Sequence, residues 1–241
     1  MTLPSVHTLY DVIDATWPAA DTTGVGPWLI RSGLLGGSRV SATTARYPAK
    51  IDDLRLAETE MRKRDQPRLF MIRDGDDVLD AMLADAGYII KDPVNLYAAP
   101  LAEIAANKPP PITCFQVWPP LQAQHEIWAQ GGIDAPRLAI MDRAMCRKST
   151  FLGRANDRPA GTVFAGIHNN IAMLHALEIA PADRRQGLGK HLTQATAVWA
   201  RSQGASHLSL LATQANIGAN ALYASLGMQV VGQYHYRIKL D

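Results

Sequence analysis

Arg184-Arg185-Gln186-Gly187-Leu188-Gly189-Lys190 stands between an apolar run, Ile171 to Ile179, and a stretch in which Leu188, Leu192, Ala195 and Trp199 recur at helical spacing. That order predicts a strand, a tight loop and a helix from Gly187 to Gln203. Two glycines let backbone approach a ligand closely, because no Cβ intervenes. The first turn of a helix presents unpaired amides whose dipole favours phosphate oxygens. Arg184, Arg185 and Lys190 add long-range attraction for an anion. The spacing is neither that of a Walker loop nor the Gly-x-Gly-x-x-Gly of a dinucleotide fold.

Working outward, Leu208–Ala212 reads as a short strand, Ala219–Leu226 as a short helix, and Met228–Leu240 as one or two terminal strands. Upstream, Thr113–Val117, Leu138–Arg147, Ser149–Arg154 and Thr162–Gly166 are strand candidates, and Leu121–Gln130 is a short helix stopped by Gly131-Gly132. Before them Lys108-Pro109-Pro110-Pro111 can continue neither helix nor central strand and marks a boundary. The first half reads as two strands from Pro27 to Ala45 around Gly36-Gly37, a helix through Ile51, Leu54, Ala57 and Met61, and a strand at Arg68–Arg73. A helix through Leu79, Met82, Leu83 and Ala86 follows, ending at Gly87. Lys91–Ala98 then closes the half as a strand, with Pro93 arguing for an edge or a boundary within it. Meander strands giving way to helix–strand–helix–strand predict an α+β fold around a mixed sheet. Met82-Leu83 before Ala86-Gly87-Tyr88 echoes Leu222-Tyr223 before Leu226-Gly227-Met228 at an offset of 140 residues. The expected division is 1–110 and 111–241.

The chain's 241 residues suffice for a core without disulfides or metal, and with only Cys114 and Cys146 neither a zinc pattern nor a disulfide scaffold is available. No apolar window approaches 18 residues and no basic leader is visible, so the expectation is a cytoplasmic protein without membrane partners. The net charge of +2 conceals an asymmetry: 12 basic and 15 acidic residues before position 111, and 12 and 7 from there on. The surplus of positive charge lies in the half with the phosphate-binding turn. Twelve basic residues without aromatic interleaving do not make a nucleic-acid surface.

The segment 184–190 resembles the pyrophosphate-binding motif Arg/Gln-x-x-Gly-x-Gly/Ala of the GNAT superfamily, the acetyl-CoA-dependent N-acetyltransferases, with Arg184, Gly187 and Gly189 at its fixed positions. Leu174–Pro181 resembles that family's fourth strand and its exit. Asn216-Ile217-Gly218-Ala219-Asn220-Ala221-Leu222-Tyr223 with Leu226-Gly227-Met228 resembles its downstream signature. The resemblance is tight over 171–236 and loose over 137–170. The first half resembles a degenerate unit of the same kind, as in tandem members. The resemblance implies two GNAT-like mixed-sheet units, with an acetyl-CoA site in the second, between splayed central strands. There backbone near Leu177 and Ile179 would hold the pantetheine arm, and Arg184 with the amides of Arg185, Gln186, Gly187, Leu188, Gly189 and Lys190 would hold the pyrophosphate. Asn216 would lie near the pantetheine end. The first half lacks the Arg-x-x-Gly-x-Gly turn and has Leu83 where the second has Tyr223, which implies one active site per chain.

The implied reaction is N-acetylation of a primary amine on a small molecule or peptide, by direct transfer in a ternary complex, with the chain a monomer or homodimer. Tyr223 resembles the family's general acid, since a phenol stays protonated at neutral pH and can supply a proton to a departing thiolate. Glu178 is the favoured base, with His175 the other candidate. Strict alternation sets the two on opposite faces of a strand unless a bulge intervenes. No metal is expected: Asp74, Asp76 and Asp77 read as a solvated turn, and Cys146 as incidental. Trp17, Trp28, Trp118 and Trp128 read as packing or as the lining of an acceptor pocket, and Tyr234–Arg237 as packing or acceptor contact. The competing readings are a non-catalytic acyl-CoA sensor or interaction module and, less well supported, nucleic-acid binding.

Overall fold

Residues 2–240 are described by the computed structural model. In the second half β6 (Cys114–Val117), β7 (Arg147–Ala155), β8 (Arg158–His168) and β9 (Ile171–Ile179) form an antiparallel meander. The chain then crosses through α8 (Leu188–Ser202) to β10 (His207–Thr213), which lies parallel to β9. Leu188, Leu192 and Trp199 place the apolar stripe of α8 on the sheet.

The rest of the sheet is built by both halves. The strand β4 (Arg68–Ile72), the helix α4 (Asp77–Asp85) and β5 (Ile89–Pro100) form a unit that recurs as β10, α9 (Ile217–Ser225) and β11 (Gln229–Lys239). The two helices and the starts of the two following strands are each 140 positions apart, as the sequence echo anticipates. The eight-stranded order is β4-β11-β5-β10-β9-β8-β7-β6, so β5 lies between β10 and β11. Each unit therefore sets its last strand between two strands of the other.

A three-stranded sheet of β1 (Asp21–Val25), β2 (Trp28–Ser32) and β3 (Thr44–Ala45) adjoins β4 through a parallel bridge at Thr43 and Phe70. Trp28, Ile30, Phe70 and Leu83 fill the space beneath it, together with α3 (Leu54–Lys63). On the face of the main sheet opposite α8 lie α1 (Val6–Thr16), α6 (Gln122–Gln130) and α7 (Ala135–Arg143). The helices α2 (Ser38–Ser41) and α5 (Leu101–Ile104) are single turns.

Several expectations are corrected. The first hairpin turns at Gly26-Pro27, and Gly36-Gly37 instead leads into α2, because Gly37 at φ +96° precedes a helical turn. Residues 138–143 are helical: Asp134 and Pro136 start α7, and Ile140 and Met141 face the core together. Pro93 belongs to a central strand. It is tolerated because the β10 ladder ends at Val94 and a bulge opposite Tyr234–Tyr236 removes the need for its amide. Residues 229–239 form one strand. No element is read from the sequence for residues 6–16, where Ser5 caps α1 by accepting the Thr8 amide.

Candidate functional site

Parallel pairing of β9 with β10 runs from Ile171–His207 to Leu174–Leu210 and then stops. Beyond it the strands diverge, and a cavity of about 790 Å³ opens between them. Divergence leaves β9 backbone groups past Leu174 without a partner strand on that side, which is the arrangement a ligand needs to add its own hydrogen bonds.

A bulge sets what faces this cavity. Against β8, His175 stands opposite Phe164 and Glu178 opposite Thr162, so β9 carries one extra residue there. Ala176 takes it up at φ +51°, and the Trp128 indole Nε1–H donates to the Ala176 carbonyl at 2.7 Å. Before the bulge Leu174 points to the α8 side; after it Leu177 and Ile179 do. The extra residue thereby brings His175 and Glu178 to the same face, which strict alternation forbids.

The two candidates for the base differ in their partners. The Thr16 hydroxyl donates to the Val12 carbonyl at 2.6 Å, leaving its oxygen to accept from His175 Nε2–H at 2.8 Å. His175 Nδ1 then accepts from the Arg39 guanidinium at 3.2 Å. Both ring nitrogens are engaged, the ring lies 5.0 Å from that of Trp17, and burial beside Arg39 holds its pKa well below the usual imidazole range. Glu178 is partly exposed and accepts from Arg184 at 2.9 Å. Its side chain lies across Gly131, where an added Cβ would come within 2.6 Å of the Glu178 Cγ. Gly131 is thus a position where close approach requires the absence of a side chain.

At the far end of the cavity the predicted turn places Arg185 at φ +65° and Gly187 at φ +85°, left-handed positions of the kind found in anion-binding backbone nests. The first bond closing into α8 runs from the His191 amide to the Gly187 carbonyl at 3.1 Å, so the amides of 188–190 have no partner inside the helix. Gly189 sits close to α9, a Cβ there falling 3.2 Å from Leu222 Cδ2. Arg184, Arg185 and Lys190 line the same cavity as Leu177, Glu178 and Ile179. Gln186 is exposed, and Leu188 contributes only backbone, since its side chain is in the core.

Tyr223 reaches the cavity from α9. It is 4% exposed, its ring lies 5.7 Å from that of Tyr97, and among the described residues its hydroxyl has no hydrogen-bond partner. Burial raises its pKa further above the phenol range, so the hydroxyl keeps its proton. Asn216 lines the cavity and caps α9 by accepting the Ala219 amide at 3.0 Å.

Some site residues have no sequence signal. Tyr97 on β5 donates to Asn220 at 2.8 Å, and Asn220 in turn donates to the Asn216 and Thr213 carbonyls, so a first-half strand holds α9 in place. Arg39 and Val94, also from the first half, line the cavity. Of the tryptophans, Trp17 and Trp128 support the β9 face, Trp28 fills the first-half core, and Trp118 is partly exposed beneath Lys148. Tyr234 and Tyr236 are buried, while His235 and Arg237 bind Asp80; their role here is packing. Burial raises the Cys146 thiol pKa, which disfavours a thiolate. Among the described residues no metal-ligating cluster occurs, and no helix is long and apolar enough to cross a membrane.

Residues 117–228 match the model of the acetyltransferase (GNAT) family. An uncharacterized N-acetyltransferase of Bacillus subtilis (strain 168), YobR, is 22% identical over 236 residues, covering 93% of this chain and 95% of that protein. Among solved structures, a GCN5-related N-acetyltransferase from Kribbella flavida superposes with a TM-score of 0.72 at 15% identity over 98% of this chain and 96% of its own. A tandem GNAT protein from the clavulanic acid biosynthesis pathway does so at 0.53 and 14% identity, over 78% and 67%. The fold is therefore GNAT-like, and residues 117–228, a little under half of the chain, match that family's acetyltransferase model.

Proposed function

We propose that this protein transfers the acetyl group of acetyl-CoA directly to a primary amine of a small molecule or peptide, at one site in the 111–241 unit. The 1–110 unit is, in this reading, a degenerate copy that completes the sheet. The observation that carries it is a single cavity joining an amide-lined, basic turn at one end to the free hydroxyl of Tyr223 and the carboxylate of Glu178. The residues fit acetyl-CoA: unpaired amides of 188–190 and the cations Arg185 and Lys190 suit a pyrophosphate, and the unpaired edge of β9 suits an amide-bearing arm.

Acetyl-CoA supplies an activated acyl group and a thiol leaving group. Glu178 accepts the proton released by the attacking amine, directly or through water, and Arg184 holds the carboxylate in orientation. Tyr223 donates its proton toward the leaving sulfur. On the side where β10 has diverged, β9 amides past Leu174 stabilise negative charge developing on a carbonyl oxygen. His175, with both nitrogens engaged, is a positioning residue for Arg39. The test combines calorimetric binding of acetyl-CoA with a thiol-release assay over small amines and peptides. Binding with amine-dependent release is expected. Binding without release from any amine would replace catalysis by an acyl-CoA sensor.

A further inference from the structure

Arg39 is the one cavity-lining arginine contributed by the first half. Its Nη1 donates to His175 Nδ1 at 3.2 Å, and its guanidinium carbon lies 5.8 Å from the centre of the Trp17 ring. Its Nε is buried and has no hydrogen-bond partner, and among the described residues no carboxylate lies within ion-pair distance of it. A buried donor on a charged group without an acceptor is costly, and native structures retain such groups where a ligand or water completes them. A planar guanidinium whose fork is oriented by a neutral imidazole presents its remaining N–H groups to a planar acceptor such as a carboxylate.

The position excludes the cofactor's phosphates as that partner. Arg39 is anchored on His175, at the end of the divergence where β9 and β10 still pair, whereas the amide-lined turn lies beyond Ile179 at the other end. Between them the bulge turns Glu178 to the face that carries His175. The register Phe164 to Thr162 sets the two β9 residues two strand steps apart, about 7 Å. The cavity thus offers a cation held on His175 and, two strand steps along the same face, the carboxylate of Glu178, an order complementary to a zwitterion.

Resting on the acetyltransferase reading above, we propose that the acceptor is an amino acid: its amine is directed to Glu178 and its carboxylate to Arg39. A peptide N-terminus or a simple polyamine lacks a carboxylate at that spacing, so either would leave the Arg39 fork without its acceptor.

The experiment measures kcat/KM for matched pairs that differ only in the carboxylate: leucine with isopentylamine, phenylalanine with phenethylamine, and lysine with cadaverine. At least one acid is expected to exceed its amine. In Arg39→Met that acid-to-amine ratio should fall about 10- to 150-fold, the range of one charge-assisted hydrogen-bonded contact. Arg39→Lys, which keeps the charge but not the fork, should fall between. Acetyl-CoA affinity reports whether each variant is folded, and the wild-type ratio stands without either variant. Wild-type preference for the amine in every pair, or an unchanged ratio in an Arg39→Met protein that binds acetyl-CoA, would overturn the assignment. If the protein transfers acetyl to nothing, the acetyltransferase reading fails by itself, and calorimetry of the same pairs with the CoA-saturated protein still decides the role of Arg39. Acid binding lost in Arg39→Met supports it; absence of acid binding to wild type refutes it.

Discussion

Tyr223→Phe removes one oxygen from a residue that is otherwise held by packing. The ring is 4% exposed and lies against Tyr97, and its hydroxyl makes no hydrogen bond among the described residues, so folding loses almost nothing with it. Stability should change by less than about 1 kcal/mol, under ~4 °C in Tm for a chain of this size. Loss of a positioned proton donor costs roughly 10²–10⁴-fold in rate, or about 3–5 kcal/mol of barrier. Burial raises this phenol's pKa further, so its ionisation should produce no fall in wild-type kcat below about pH 10. The assay is thiol release at saturating acetyl-CoA, with acetyl-CoA affinity measured by calorimetry on the same preparation. The expected outcome is a collapse of kcat with affinity unchanged within about twofold. A variant that binds acetyl-CoA normally and turns over within about threefold of wild type would remove Tyr223 as the proton donor and leave it a packing residue.

Two further perturbations test the rest of the site. Gly131→Ala meets no backbone obstacle, since φ is −86° there, but its Cβ would occupy the space of the Glu178 side chain. Turnover should fall about tenfold or more while acetyl-CoA affinity holds, and full activity would mean that the position of Glu178 is immaterial. His175 is buried neutral, with its folded pKa below that of a free imidazole. The unfolded chain therefore binds the extra proton, and this contribution to stability is complete above the free-imidazole range and declines as pH falls below it. The slope is at most about 1.4 kcal/mol per pH unit. Urea unfolding at pH 7.5 and 5.5 should show this loss in wild type and a smaller one in His175→Gln; equal losses would assign it to other groups.

What could be read from the sequence depended on how local its cause was. The phosphate-type turn was legible because it needs glycine at φ +85° and a helix that starts at once, and both requirements are met within seven residues. The repeat was legible because the two units keep one length, so that the helix at Asp77 and the helix at Ile217 are equally spaced from the strands that follow. Helix α7 was misread because Leu138–Arg147 supports either period over so short a span. The edge alternative for Pro93 fails, and the boundary within the strand holds, because its tolerance depends on where β10 ends, 120 residues later.

The face of Glu178 was beyond sequence for a related reason. The bulge occurs at an alanine, with no glycine to announce it, and its displaced carbonyl is met by an indole from residue 128. Arg39 carries no motif at all; it becomes part of the cavity only because the first half packs against β9 and His175 supplies its acceptor. By itself, then, the sequence determined the α+β class and the amide turn with its cations, together with the tyrosine on the helix after β10, because local backbone preference and periodicity suffice for these. Tertiary structure alone decided that the halves interleave their strands, that Glu178 and His175 share a face, and that a first-half arginine enters the second-half cavity. Those outcomes arise from contacts between segments far apart in the chain, where no local preference acts.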